Sequence, residues 1–266
     1  MLAVHQHPTA TMATKFSDIS KGPKDLLSDD YTNKLSLKCK KGAGPVAVTI
    51  ETTRGSGGAL SSKIGGKFAY AGLSFDKVQH TADGGAVLET SLKPAPGVKL
   101  SFKGNKGADL GIDYTKGSLY ATGTLDVKNM SKLSTSACYG VNSSITVGGD
   151  ASYALSGKTG ISGFNVGASY KTGPAFVSLT TASKMSQFNI GLSYKVNDSI
   201  SLASSTTHSS EKTCDVLAIG GAYKADFGTI KAKTAGSGVV EACLIKDVAD
   251  KVTLTASGSV LPSDLS

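Results

Sequence analysis

The chain has 266 residues, 39% of them hydrophobic and 18% charged, with Gly 32, Pro 7, Cys 4, no Trp and a formal net charge of +8. Its scattered cysteines (Cys39, Cys138, Cys214, Cys243) and few prolines exclude a disulfide framework, a collagen repeat and a Pro-rich linker. No run approaches ~18 consecutive apolar residues, so no membrane-spanning helix is expected, and the opening stretch lacks the apolar heart of a secretory leader.

Residues 1–14 read as a flexible tail. Over 15–30 the pattern becomes helical: Phe16, Ile19, Leu26 and Leu27 recur on one face, Ser17 is placed to cap the start, and Asp18 follows in the first turn. Gly22-Pro23 is expected to break or kink this amphipathic helix midway. No other segment carries a convincing helical period.

After Tyr31 the period changes to two. Leu35, Leu37 and Cys39 interleave with Ser36, Lys38 and Lys40; Val46, Val48 and Ile50 with Ala47, Thr49 and Glu51. The same alternation returns at Val98 to Lys103, Phe188 to Lys195 and Lys251 to Ser257. Turn signals separate the runs, among them Lys41-Gly42-Ala43-Gly44-Pro45, Asp83-Gly84-Gly85, Thr172-Gly173-Pro174 and Gly236-Ser237-Gly238. About eighteen such runs of ~8–11 residues fill 31–266.

One face of each run is apolar and the other is Ser, Thr, Gly, Lys and Asp. A soluble sandwich would pack apolar faces together, and a propeller would repeat every ~40–50 residues, which is not seen. A barrel in lipid turns the apolar face outward and wets the polar face within. Closure pairs every backbone N–H, as hydrocarbon demands. The expected fold is therefore all-β: a transmembrane antiparallel β-barrel of about 18–19 strands, with a short N-terminal amphipathic helix in or near the lumen.

Other chemistries find no support. Gly157-Lys158-Thr159 lacks the first glycine of a phosphate-binding loop, since Ser152 stands there, and no helix follows. The four histidines (His5, His7, His80, His208) have no metal-ligand spacing. Neither enzyme activity, nor a cofactor, nor a metal is expected. Arg54 is the sole arginine, which speaks against specific nucleic-acid recognition.

The segment from Phe16 to Lys40 resembles the start of the mitochondrial porins, the voltage-dependent anion channels. The matching positions are Phe16, Asp18, Ile19, Lys21, Lys24, Asp25, Leu26, Leu27 and Tyr31. Pro94 to Phe102 resembles a strand entry of plant-type members, and Gly228 to Leu244 resembles a late Lys-rich strand and the hairpin after it. Two departures are visible. That family's barrel is odd-numbered, whereas the runs here number about eighteen, and its late Gly-Leu-Lys motif is missing. Some members carry a membrane-facing carboxylate on the fourth strand; the nearest position here is Lys77, with Asp76 turned to the lumen by alternation.

Alternation sends Lys34, Lys38, Lys40, Lys63, Lys67, Lys99, Lys103, Lys171, Lys195, Lys224, Lys231 and Lys233 inward. Inward carboxylates are fewer: Glu51, Asp76, Glu89, Asp109, Asp113, Asp126, Asp150 and Glu241. With the first and last strands meeting, the basic sets Lys34 to Lys67 and Lys224 to Lys233 are expected to share one wall, with Asp109, Asp113, Asp126 and Asp150 opposite. The expected pore-lining, anion-attracting residues are these lysines other than Lys171 and Lys195, together with Lys21 and Lys24 of the helix. The resemblance implies a gating helix carrying Phe16, Asp18, Ile19, Gly22, Pro23, Asp25, Leu26 and Leu27. It further implies a voltage-gated, weakly anion-selective pore for ions, ATP and ADP in the mitochondrial outer membrane. The expected partners are the lipid bilayer, small anions and nucleotides, and either copies of itself or neighbours in a membrane complex. The competing readings are a protein-translocating barrel of the same membrane, which a net charge of +8 disfavours, and a structural barrel subunit of a membrane complex.

Overall fold

Side chains that alternate between oily and polar give a strand two unlike faces, and neighbouring strands in register extend those faces across a sheet. The computed structural model describes residues 14–31, 35–55, 57–209, 212–236, 238–250 and 252–261, with backbone alone at 43 and 212–216. Nearly all of the expected tail, and Lys34, lie outside the described residues.

A 3₁₀ turn (Phe16–Asp18) and helix α1 (Lys21–Leu27) come first. Eighteen strands follow among the described residues: β1 (Leu35–Ala43), β2 (Val46–Arg54), β3 (Leu60–Tyr70), β4 (Leu73–Thr81), β5 (Ala86–Ala95), β6 (Val98–Gly104), β7 (Ala108–Lys116), β8 (Leu119–Asp126), β9 (Lys132–Gly140), β10 (Ile145–Ala154), β11 (Gly160–Thr172), β12 (Ala175–Ala182), β13 (Gln187–Lys195), β14 (Ile200–Ser209), β15 (Lys212–Ala225), β16 (Gly228–Ala235), β17 (Val240–Ala249) and β18 (Val252–Val260). Each pairs antiparallel with its neighbours in sequence, and β1 closes on β18 from Leu35↔Ala256 to Cys39↔Val252. An odd number of hairpin-linked strands would set the first and last parallel. The antiparallel closing pair belongs to an even barrel.

The barrel is inside out. Leu192, Tyr194, Ile112, Leu110 and Leu179 are 44–50% exposed on the outer face. Among the described residues the buried apolar side chains are few: Ile19, Pro23, Leu27, Cys138, Ala203 and Cys243. Ile19, Pro23 and Leu27 belong to the N-terminal segment. Cys138, Ala203 and Cys243 lie on the inner faces of β9, β14 and β17. The small core therefore sits inside the lumen, where the segment meets the wall.

Two local expectations are corrected. The helix expected over 15–30 is a 3₁₀ turn and a separate seven-residue α1. Pro23 does not kink it: it lies in the first turn of α1, where an N–H would have no intrahelical partner. Pro23 is fully buried, so the docked face is Ile19, Pro23 and Leu27, while Leu26 is half-exposed. Ser17 caps nothing; its hydroxyl donates to its neighbour Asp18 at 3.4 Å, and Ser20 precedes α1 without a side-chain cap.

The second correction concerns β4. The pairing of β3 with β4 slips between Gly66↔Val78 and Phe68↔Phe75, and that of β4 with β5 slips between Phe75 and Lys77. Asp76 is the extra residue of a bulge. Two consecutive side chains, Asp76 and Lys77, then share the lumen face, where both line one recess. Strict alternation would have pushed the Lys77 ammonium into lipid.

Candidate pore lumen

The segment is seated by missing side chains. Inward glycines on three alternate strands, Gly167 of β11, Gly191 of β13 and Gly220 of β15, lie beneath Phe16, Pro23 and Leu27. A Cβ on Gly191 would stand 2.9 Å from Pro23 Cγ and 2.8 Å from Ser178 Oγ. A Cβ on Gly220 would stand 2.9 Å from Leu27 Cδ2, and one on Gly167 would stand 3.3 Å from Phe16 Cε2. Gly22 itself lies against Ser193 and Phe176 of the wall. The segment can approach the sheet this closely because three side chains are absent from it.

Ion pairs hold both ends. At the start, Lys15 Nζ is 3.6 Å from Asp113 of β7 and 5.6 Å from the ring centre of Tyr120 of β8. Burial pulls the Lys15 ammonium down, but Asp113 and Tyr120 outweigh it and hold its pKa above the ordinary lysine value. At the other end, Lys231 of β16 donates to Asp30 Oδ2 at 2.7 Å and to the Asp25 carbonyl at 2.9 Å. Its side chain is only 12% exposed. Lys233 pairs with Glu241 at 2.8 Å and lies 4.5 Å from the Tyr31 ring centre. Tyr31 in turn donates to the Leu26 carbonyl at 3.2 Å. Burial, followed by the neighbouring Asp29, raises the Asp25 carboxyl above its ordinary range. Cys138 lies near Asp18, and Cys243 near Asp30, so one buried thiol sits beneath each end of the segment.

Among the described residues the segment's contacts fall on the side of the barrel from β7 to β16, most of them on β13, β14 and β15, and away from the wall made by β1–β6. On that wall Glu51 lies between Lys63 at 2.8 Å and Lys38 at 3.6 Å. Asp76 accepts from Lys99 at 3.2 Å and from Ser91 at 2.5 Å, and Glu89 pairs with Lys103 at 3.5 Å. Lys40 and Lys67 line the same recess as Lys77. Lys21 and Lys24 are exposed on α1, and Lys224 is exposed near the end of β15. On the far side, Asp150 accepts from Asn165 at 2.8 Å, while Asp126 takes the Ser131 hydroxyl and the backbone N–H groups of Lys128 and Asn129 at 3.1 Å.

The sequence-predicted lysines therefore fall into different settings. Lys231 and Lys233 are engaged with the segment and its surroundings; Lys38, Lys63, Lys99 and Lys103 share carboxylates; Lys40 and Lys67 open onto the recess. The part played by Lys15, Asp30, Tyr31 and the three glycines was missed. Only the glycines left a trace in sequence: they stand at inward positions of otherwise regular alternating strands.

A closed antiparallel barrel with an apolar exterior, a charged interior and a segment lining one wall is a membrane-spanning pore-type barrel. Residues 13–261 match the family model described as eukaryotic porin, and the chain belongs to that family. Eukaryotic porins are diffusion pores of an outer membrane, and this chain spans a lipid bilayer and passes small solutes through its lumen. No protein of curated function matches it significantly. Among solved structures it is similar to a triple variant of Rh. blastica porin, at 12% identity and TM-score 0.46 over 85% of this chain and 96% of that one. A porin-like protein from Bacteroides uniformis shows 9% identity and TM-score 0.20 over 95% of this chain and 100% of that one.

Proposed function

We propose that this chain is a voltage-gated, weakly anion-selective pore of the mitochondrial outer membrane, passing small ions and phosphorylated metabolites such as ATP and ADP. The observation that carries the reading is the β1–β6 wall away from the segment, where Lys38, Lys40, Lys63, Lys67, Lys77, Lys99 and Lys103 outnumber Glu51, Asp76 and Glu89, with Asp113 and Asp109 of β7 across from Lys99 and Lys103 at its edge. Lysine offers a point charge without the bidentate grip of arginine, which suits brief contact with a phosphate in transit. Screening over about 8 Å at physiological salt keeps such a bias weak across a wide pore. The segment at 15–30 is the gating element in this reading, because it occupies lumen that its release would open.

Flux through vesicles tests the proposal. Vesicles loaded with ATP and carrying the purified protein should release it to external luciferase, and more slowly at a holding potential of either sign. Retention of ATP by vesicles that release chloride would refute the metabolite part of the reading.

A further inference from the structure

The lumen lysines look equivalent in sequence, but their contacts separate them. On the wall of β1–β4 lies a recess of about 350 Å³ whose floor is built of small residues, Ala47, Thr49 and Gly65. Five ammonium groups rim it: Lys38, Lys40, Lys63, Lys67 and Lys77. The carboxylates near it are already taken, Glu51 by Lys38 and Lys63, Asp76 by Lys99 and Ser91, and Glu89 by Lys103. Among the described residues Lys40, Lys67 and Lys77 have no ion-pair partner. Pairing places Lys67 opposite the bulge that turns Lys77 inward.

We propose that this recess is a binding seat for oligophosphate anions, with Lys40, Lys67 and Lys77 as its ligands; the proposal rests on the pore reading above and names where within the pore such anions dwell. Lys67 lies in the field of Asp76 and Lys77 stands across from Glu89, but neither they nor Lys40 are bound in a salt bridge, so their N–H donors stay open to a solute. Attraction grows with the product of charges, so a multivalent phosphate is held where chloride is not. The small floor admits the anion below the level of the ammonium groups. Lys40 and Lys67 are exposed and Lys77 is half-buried, so the seat stays wet and releases the anion again, as passage requires. The bulge at Asp76 is essential to the seat, since without it Lys77 would leave the lumen.

Inorganic pyrophosphate is the probe. In planar bilayers, wild-type protein is expected to show a concentration-dependent partial block of its chloride current. Replacing Lys40, Lys67 and Lys77 together by Gln should weaken that block about tenfold, and replacing the three by Arg should retain it. A control of equal charge at inward positions outside the seat, Lys132→Gln with Lys171→Gln and Lys195→Gln, should leave it unchanged. Equal weakening in the control would assign the effect to total lumen charge and overturn the seat, as would an unchanged block in the first variant. A wild-type pore that prefers potassium to chloride would defeat the pore reading itself, whatever the variants do.

Discussion

Gly191 shows how much a single residue can decide here. It faces the lumen, and Pro23 occupies the volume its side chain would fill. Gly191→Val should therefore lift the segment while leaving the strand ladder in place, because the atoms it meets are the Ser178 hydroxyl and the Pro23 ring rather than backbone. The expected result is alkylation by a maleimide of Cys138 and Cys243 in the folded barrel, read peptide by peptide, at a rate well above wild type. Unchanged shielding of both thiols would show that the glycine seats do not hold the segment. At this scale the sequence was partly readable. Alternation placed Glu51, Lys63 and Lys99 on the face where their ion pairs form. It failed at Lys77, because a bulge depends on the pairing of β4 with both neighbours and leaves no local mark. It also had no means of joining Lys231 to Asp30 across 201 positions.

At the scale of elements, the segment is a short structure that could not hold its shape alone. Seven helical residues without a side-chain cap are too few for a stable isolated helix. Burial of Ile19, Pro23 and Leu27 and the grip of Lys231 compensate. Lys231→Gln should weaken docking by about 1.5–3 kcal/mol, the range for a hydrogen bond to a charged partner, seen as faster amide exchange in α1 with the strands unaffected. Acidity should act the other way. The Asp25 carboxyl is raised by burial and then by Asp29, so its charged form opposes docking. Docking is then strongest at low pH and weakens as pH rises from the ordinary aspartate value through the raised one. Asp25→Asn should abolish that dependence in α1 exchange measured relative to the strands; a dependence that persists would place its origin elsewhere. The amphipathic character of 15–30 was legible, but its division at Ile19 and Ser20 was not, since Pro23 reads as a breaker until its place in the first turn is known.

At the scale of the whole molecule, stability comes from an exterior matched to lipid and a ladder closed upon itself. The outer face has no substitute for hydrocarbon, whereas the inner face is already wet. Ile112→Arg, on the outside of β7, should cost about 2–4 kcal/mol in refolding into vesicles from urea. Thr124→Arg, exposed to the lumen on β8, should cost little. Equal costs would contradict the inside-out arrangement. This arrangement was the most legible feature of the chain, because a period of two with one oily face repeats through nearly every strand. The evenness of the barrel was less so, since strand number depends on how β1 meets β18. The central claim is that the wet interior is an anion-favouring path, and it is tested most directly by single-channel recording in a planar bilayer under a KCl gradient. The account predicts a large conductance that falls at high potential of either sign, with a reversal potential displaced toward that of chloride. Folded protein that does not conduct, or a reversal potential displaced toward that of potassium, would contradict it.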